Sequence, residues 1–408
     1  MTAGVVIVGA SVGGLTVAER LRGGGFTGPL TLVDADPEPP YDRPPLSKQV
    51  LDGRWPPDQA RLRDPASLAA LGLDLRLGRT AVRLDTDARR LVLDDGERLA
   101  YRTLVLATGL HARTLPRQPA LAGVHTLRTL RDARRLRADL EGTRRVVVVG
   151  AGVLGCEIAA TARTLGHYVT LVEPEPHPMR RVLGDRLGAH VARLHTGRGV
   201  RLLTSTAVAG PVGAHGRVTG VRTAHGEVLP ADVVVVAVGG RPATDWLAGS
   251  GLTLDDGVVC DTRSRAAEHV YAVGDVARFP DGRGTRLENR TNATEQGLFV
   301  AADILGARSA YRPLPYLWSD QFGVRIQVYG GVPAHAAVRI VQGAAAEGRF
   351  VAHAEADGRL VGIVGWNSAA GLRGARALLA RTTTPPPAGR PPTRPWPTPA
   401  SRQERSPS

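Results

Sequence analysis

Lysine is almost absent from this chain: Lys48 is the single lysine among 52 basic residues. Cysteine is scarce too. Cys156 and Cys260 form no C-x-x-C and cannot build a disulfide framework, which fits a reducing cytoplasm. The 11 histidines make no H-x-x-x-H and no Cys/His cluster, so no metal is expected. No apolar run approaches the roughly 20 residues that span a bilayer, so no membrane segment is expected. The chain enters a valine-rich run at Val5 without a basic leader or a cleavage site, which reads as a cytoplasmic protein with no signal peptide. Aromatic residues amount to 4% and do not interleave with basic ones, which argues against nucleic acid.

What is present is the composition of a soluble globular protein, 43% apolar and 22% charged. Its 408 residues suit two or three domains. The net charge of +14 is carried by arginine. That excess fits either a genome whose base composition favours arginine codons or a basic face that steers an acidic protein partner. Such steering raises association rates by roughly 10- to 1000-fold.

Two dinucleotide-binding fingerprints stand out, Gly9-Ala10-Ser11-Val12-Gly13-Gly14 and Gly150-Ala151-Gly152-Val153-Leu154-Gly155. Each follows a valine run and opens a helix-like segment. In each, the first glycine permits a tight turn and the last lets helix and strand pack closely. Backbone N–H groups at the helix start cradle a pyrophosphate, helped by about half a positive charge of helix dipole. Ser11 replaces the second glycine of the first fingerprint. An acidic residue on the following strand end accepts hydrogen bonds from the ribose. After the second fingerprint this is Glu173, 23 residues beyond Gly150. With Pro174-Glu175-Pro176 following and no adjacent arginine, it predicts NADH over NADPH. After the first fingerprint Asp36 takes the role, with Asp34 as its rival. Two such units imply a flavin dinucleotide and a nicotinamide dinucleotide face to face, a geometry for moving a hydride between them.

The organisation is α/β, with short apolar runs alternating with helical patterns as in parallel sheets. Residues 1–110 read as a first nucleotide-binding segment and 111–235 as a second nucleotide-binding domain. Residues 236–315 resume the first, so the second domain is inserted into it. Residues 316–381 alternate apolar and polar as an antiparallel sheet would. Residues 382–408 hold nine prolines and read as a disordered tail.

Four further segments carry chemistry or its bland equivalent. Tyr41-Asp42-Arg43-Pro44-Pro45-Leu46-Ser47-Lys48 is either a solvated proline-rich loop or a rigid loop that presents the lone lysine, a compact charge with three donors, to a flavin N5 and C4 carbonyl edge. Glu157, read as lying in the first turn of the second fingerprint's helix, is either an acid that stabilises the dipole or a carboxylate paired with Lys48 at the ring contact. Ala272-Val273-Gly274-Asp275 is either a plain strand end or the turn at which Asp275 meets the flavin ribityl chain. Trp318-Ser319-Asp320-Gln321 is either core or a tryptophan stacked beside an isoalloxazine. With no redox dithiol, a reduced flavin passes electrons directly to an acceptor.

These segments resemble the FAD-dependent ferredoxin reductases of the putidaredoxin reductase and oxygenase-coupled type. Ala107-Thr108-Gly109, Tyr271-Ala272-Val273-Gly274-Asp275 and Asn292-Ala293-Thr294-Glu295-Gln296 add to the likeness, which covers residues 4–380. The resemblance implies a glutathione-reductase-like fold: two Rossmann-type domains, one for FAD and one inserted for NAD, plus a C-terminal α/β domain. It implies that Gly9, Ala10, Ser11, Gly13, Gly14, Asp36, Arg43, Pro44, Lys48, Val82, Ala107, Thr108, Gly109, Arg128, Gly274, Asp275, Arg290 and Trp318 surround FAD. It implies that Gly150, Gly152, Leu154, Gly155, Glu157, Glu173, Arg181, Gly239 and Gly240 meet NADH. The family's Lys–Glu pair falls on Lys48 and Glu157. The implied activity is electron transfer from NADH through FAD to an acidic ferredoxin, in a monomer or homodimer serving a cytochrome P450 or a ring-hydroxylating oxygenase. The rival readings are an NADH oxidase or quinone reductase, and an NADH-sensing flavoprotein akin to apoptosis-inducing factor.

Overall fold

In a computed structural model, residues 4–279 and 286–382 are described. The proline-rich tail lies outside them apart from Thr382.

Val5 to Val8 are fully or nearly fully buried because the strand Gly4–Val8 is flanked on both sides. It pairs in parallel with Leu30–Asp34 and with Arg98–Leu106. Asp74–Leu77 extends this sheet at one edge. At the other, Val270–Ala272 pairs in parallel with Arg98–Leu106 and leads to Arg265–Ala267. The first sheet therefore takes strands from both ends of the nucleotide-binding region. The antiparallel strands Ala81–Asp85 and Arg90–Leu93 branch from it.

Between those two segments lies a second, all-parallel sheet. Its order is Arg201–Leu203, Tyr168–Val172, Arg145–Val149, Val233–Val236, Val124–His125. A three-stranded antiparallel sheet covers one face, its Val218, Val221 and Leu229 packing on Val147, Val149 and Val234. The chain leaves the first unit and returns to it through one short ribbon, in which Leu110–Ala112 pairs antiparallel with Gly240–Pro242. Residues 316–366 form a five-stranded antiparallel sheet ordered Tyr316–Gln321, Val324–Gly330, Arg359–Trp366, Arg349–Ala356, Ala337–Ala344. Ile326, Val328, Phe350 and Trp366 of this sheet share one core with Leu183, Leu187 and Val191 and with Leu46 and Val50.

Helices follow the expected pattern with shifts at their ends. The helix after the first fingerprint is Val12–Gly23, and that after the second is Val153–Thr164. The helix Arg290–Ile304 starts at Arg290 because the Asn289 side chain caps it by accepting from Asn292 N at 2.7 Å. An 18-residue helix, Arg180–Gly197, was not legible in the sequence. It kinks at Gly184, which sits at φ +66°, while Leu183, Leu187 and Val191 keep one buried face. Among the described residues, no helix is long and apolar enough to cross a membrane.

The two fingerprints fold alike. Gly9 and Gly150 take positive φ, +110° and +98°, at the turn. A Cβ at Gly14 would strike the carbonyl oxygen of Gly9, and one at Gly155 that of Gly150. Each last glycine thus sets the helix against its own strand. Gly152 differs: a Cβ there would meet no atom within 4 Å. Gly155→Ala is expected to cost about 1–3 kcal/mol through overpacking, seen as a lower thermal unfolding temperature of the flavin-free protein, while Gly152→Ala leaves that temperature within a degree or so. Equal effects of the two substitutions would contradict this packing.

Candidate functional site

The turns of the two fingerprints are built by the same hydrogen bonds. Gly9 N donates to Val33 O at 2.7 Å, and Gly150 N donates to Val172 O at 2.8 Å. One residue on, Ala10 N donates to Asp34 Oδ2 and Ala151 N to Glu173 Oε2, each at 2.5 Å. Asp34 is thus the structural counterpart of Glu173. Asp36 N donates to Asp34 Oδ1 at 2.8 Å, and the Asp36 carboxylate accepts from Tyr41 OH at 2.6 Å. Both carboxylates border a small recess together with Ala10, Ser11 and Arg43. Burial lifts the Asp34 carboxyl above its ordinary range, against its backbone hydrogen bonds.

One cavity of about 550 Å³ connects the two fingerprints. From the first unit it is lined by Ser11, Gly13, Arg43, Pro44, Lys48, Ala107 and Gly109, and from the returning segment by Gly239, Gly240, Gly274, Asp275 and Arg290. Trp318 borders it from the C-terminal sheet. Arg128, Gly152, Leu154 and Glu157 complete it from the second unit. Gly9, Gly14, Gly150 and Gly155 lie behind this wall as turn and packing residues, and Thr108 donates its hydroxyl to Ala243 O at 3.1 Å. Two expected residues are elsewhere. Val82 is on the branching strand, 44% exposed and outside the cavity lining. Arg181 projects into solvent, 87% exposed, with Glu175 beside it at 3.7 Å. Leu110, His111 and Leu127 line the cavity but carry no sequence signal, since the ribbon and a loop bring them there.

At the junction sits a buried ion pair. Lys48 Nζ donates to Glu157 Oε2 at 2.8 Å, with the residues 8% and 5% exposed. Glu157 was expected in the first helical turn, but Gly152 is the N-cap and Val153 the first helical residue, so Glu157 lies one turn further along. Its carboxylate is held by side chains instead of the helix end. Ser47 Oγ donates to Oε2 at 2.6 Å, Ser319 Oγ to Oε1 at 2.9 Å, and Asp320 N to Oε1 at 3.3 Å. The sequence singled out both segments for other residues and missed these two serines.

The cavity fits a flavin dinucleotide on several counts. Ser11 caps the helix Val12–Gly23 with no side-chain capping bond, and neither that helix nor Val153–Thr164 has an acidic residue in its first turn. Two guanidiniums face inward, and the buried Nε atoms of Arg43 and Arg128 have no hydrogen-bond partner. Burial first, and Arg43 second, draw Arg128 below its usual range, while Asp275, 3.1 Å away, opposes the shift. Unspent cationic donors beside two helix starts suit a diphosphate. Gly109, at φ +67°, keeps the wall open; a Cβ there would lie 3.1 Å from the Arg128 guanidinium.

Paired Rossmann-type units around one cavity define a two-nucleotide oxidoreductase. The chain belongs to the pyridine nucleotide-disulphide oxidoreductase family, whose model matches residues 3–297, and a reductase C-terminal model matches residues 316–390. It is 37% identical over 381 residues to rhodocoxin reductase of Rhodococcus erythropolis, covering 92% of this chain and 89% of that protein. It is 39% identical to the ferredoxin–NAD(+) reductase component of the anthranilate 1,2-dioxygenase system of Burkholderia cepacia, covering 94% of this chain and 95% of that protein. Among solved structures it is similar to putidaredoxin reductase in a covalent complex with putidaredoxin (TM-score 0.88, 31% identity, 93% of this chain and 94% of that one). It is also similar to the ferredoxin reductase for the CYP199A2 system from Rhodopseudomonas palustris (TM-score 0.89, 34% identity, 94% and 96% of the two chains).

The family name refers to disulphides, yet the thiols here are set for packing. Cys156 is fully buried and donates to Ala151 O at 3.3 Å, and burial pushes its thiol well above the ordinary range. Burial raises Cys260 to about 12. The native protein at pH 8 is therefore expected to show no thiol reactive to a disulfide reagent, and both after denaturation. Rapid modification of the native protein would contradict this burial.

Proposed function

We propose that this chain is a flavoprotein oxidoreductase that takes electrons from NADH through FAD to a ferredoxin-type iron–sulfur protein, in service of a cytochrome P450 or an aromatic-ring oxygenase. The observation that carries the reading is the buried Lys48–Glu157 pair in one cavity that both fingerprints border. Relatives named as ferredoxin–NAD(+) reductases, and the solved complex with an iron–sulfur partner, support the acceptor class. Two separated, buried cysteines support direct transfer from the cofactor to that partner.

FAD held here would supply hydride acceptance from a reduced nicotinamide and one-electron release to the partner. Gly9, Ser11 and Gly14 shape the first helix start, which would receive its pyrophosphate with Arg43 and Arg128 as counter-charges. Asp34, through its equivalence to Glu173, is the better placed of the two aspartates for the adenosine ribose, and Asp36 supports it while holding Tyr41. Asp275 stands at the turn after Val270–Ala272, oriented by Arg128. Lys48 presents a localised positive charge to the cavity, and one of its three donors is engaged by Glu157. Trp318 borders the cavity from the C-terminal sheet, where its indole would exclude water from a bound ring. Glu173 accepts from Ala151 N and Glu175 N, and its remaining lone pairs would accept from the ribose 2′-hydroxyl of NADH.

Removing the ammonium as Lys48→Met is expected to slow reduction of bound flavin by NADH more than tenfold in anaerobic stopped-flow; an unchanged rate would remove Lys48 from the chemistry. The Glu173 carboxylate, repelling a 2′-phosphate, is expected to give kcat/KM for NADH at least about tenfold above that for NADPH. A preference for NADPH would overturn that assignment.

A further inference from the structure

We propose that His195 and Gln321 are positioning residues for Glu157: a one-directional chain of hydrogen bonds from a buried imidazole fixes the orientation in which this carboxylate meets Lys48. The proposal deepens the reading above and rests on the Lys48–Glu157 pair acting on NADH.

The polarity of the chain follows from its acceptor end. The Glu157 carboxylate in its ion pair accepts, so the single hydroxyl proton of Ser319 is committed to Oε1 at 2.9 Å. Ser319 Oγ is then an acceptor, and Gln321 Nε2 donates to it at 2.9 Å. The second proton on that nitrogen meets Met179 Sδ at 3.2 Å, so the amide nitrogen faces Ser319 and Met179 and the amide oxygen faces away. Gln321 Oε1 lies 2.9 Å from His195 Nε2, which therefore carries the proton. Every donor points toward Glu157.

His195, Ser319 and Gln321 are at most 1% exposed, so water offers no substitute at any link. His195 Nδ1 is buried with no partner. An imidazole there leaves one nitrogen unsatisfied, at a cost an apolar side chain would avoid. The residue is explained by the one bond it does make. Burial also holds His195 below the usual histidine range, in keeping with a neutral Nε2–H tautomer. The three links span units of the fold. His195 is on the helix Arg180–Gly197, Glu157 is on Val153–Thr164, and Ser319 and Gln321 share one face of the strand Tyr316–Gln321 at i and i+2. The C-terminal sheet thus reaches the nicotinamide side of the cavity through this chain.

The test uses the full chain loaded with FAD. Gln321→Met keeps the volume and removes the donor, and Ser319→Ala removes the last link. Each is expected to lower the limiting rate of flavin reduction by NADH about tenfold, equivalent to about 1.4 kcal/mol. The NADH dissociation constant and flavin content are expected to stay within twofold. His195→Met lowers the rate similarly, and His195→Gln, which restores an N–H donor, recovers most of it. A purely structural role would move flavin content and NADH affinity together with the rate and would not separate His195→Gln from His195→Met. A second readout needs no flavin: the long-range 1H–15N spectrum of the apoprotein at neutral pH is expected to show His195 as the neutral Nε2–H tautomer. Wild-type rates in both Gln321→Met and Ser319→Ala, or an Nδ1–H tautomer, would overturn the proposal. Should Gln321→Met not fold, Ser319→Ala decides alone. If the wild-type holoprotein itself is not reduced by NADH, the functional reading fails, and the tautomer still judges the chain.

Discussion

A carboxylate buried as deeply as that of Glu157 dictates much of what surrounds it. An unpaired buried charge costs several kcal/mol, and its removal from water is offset only when the geometry is good and further hydrogen bonds fill the remaining lone pairs. Here four donors do so, and they come from two parts of the chain, Lys48 and Ser47 from the first unit and Ser319 and the Asp320 backbone from the C-terminal sheet, around a residue of the second unit. The carboxylate is satisfied only when all three parts are seated. Burial of one charge therefore specifies the assembly of the cavity, and the apolar core shared by Leu46, Leu187 and Phe350 supplies the driving force for that seating.

The two nucleotide units meet this constraint with one local solution used twice. A positive-φ glycine turns the chain, the next N–H binds a strand-end carboxylate, and a last glycine lets the helix lie against the turn. The repeat has a consequence for the first fingerprint, where the middle glycine is replaced. Ser11 and Gly152 occupy the same N-cap position with nearly the same backbone angles, φ −74° and −70°. A side chain is therefore compatible with the turn, and Ser11 adds a hydroxyl beside the helix start that Gly152 cannot. The departure changes the chemistry of the pocket and leaves its shape alone.

Sequence pattern made the parallel sheets and the inserted arrangement of strands legible, because each rests on short-range signals, valine runs and glycine spacing. The Lys48–Glu157 pairing, across 109 residues, was implied by the family resemblance, with a lysine conspicuous in a chain of arginines as its local sign. What stayed hidden depends on long-range approach. Ser47 and Ser319 are unremarkable serines until a carboxylate arrives from more than 100 residues away. His111 faces the cavity because two chain crossings pair as a ribbon. The choice between Asp34 and Asp36 turned on register, since both lie near the strand end and only hydrogen bonds to the fingerprint turn separate them. The helix Arg180–Gly197 was masked by its content of glycine, a weak helix former, at Gly184, Gly188 and Gly197, although Leu183, Leu187 and Val191 keep helical spacing.

The chemistry of the pair also explains why an arginine-rich chain keeps a lysine at this one place. A guanidinium at position 48 would engage the carboxylate through a planar fork and spread its charge across three nitrogens. Arg145 does this with Asp232, its Nε and Nη2 donating to the two carboxylate oxygens at 3.2 and 2.6 Å, and at the cavity wall Arg128 meets Asp275 and Arg290 meets Asp42. Those contacts neutralise and position. An ammonium concentrates its charge on one atom, and a single bond to Glu157 Oε2 leaves it further donors for the cavity. With Glu157 held from the far side by Ser319, the ammonium is anchored from one direction and open in the other. Arginines serve where charge is to be balanced against carboxylate or phosphate, and the lysine stands where a localised charge faces the open cavity.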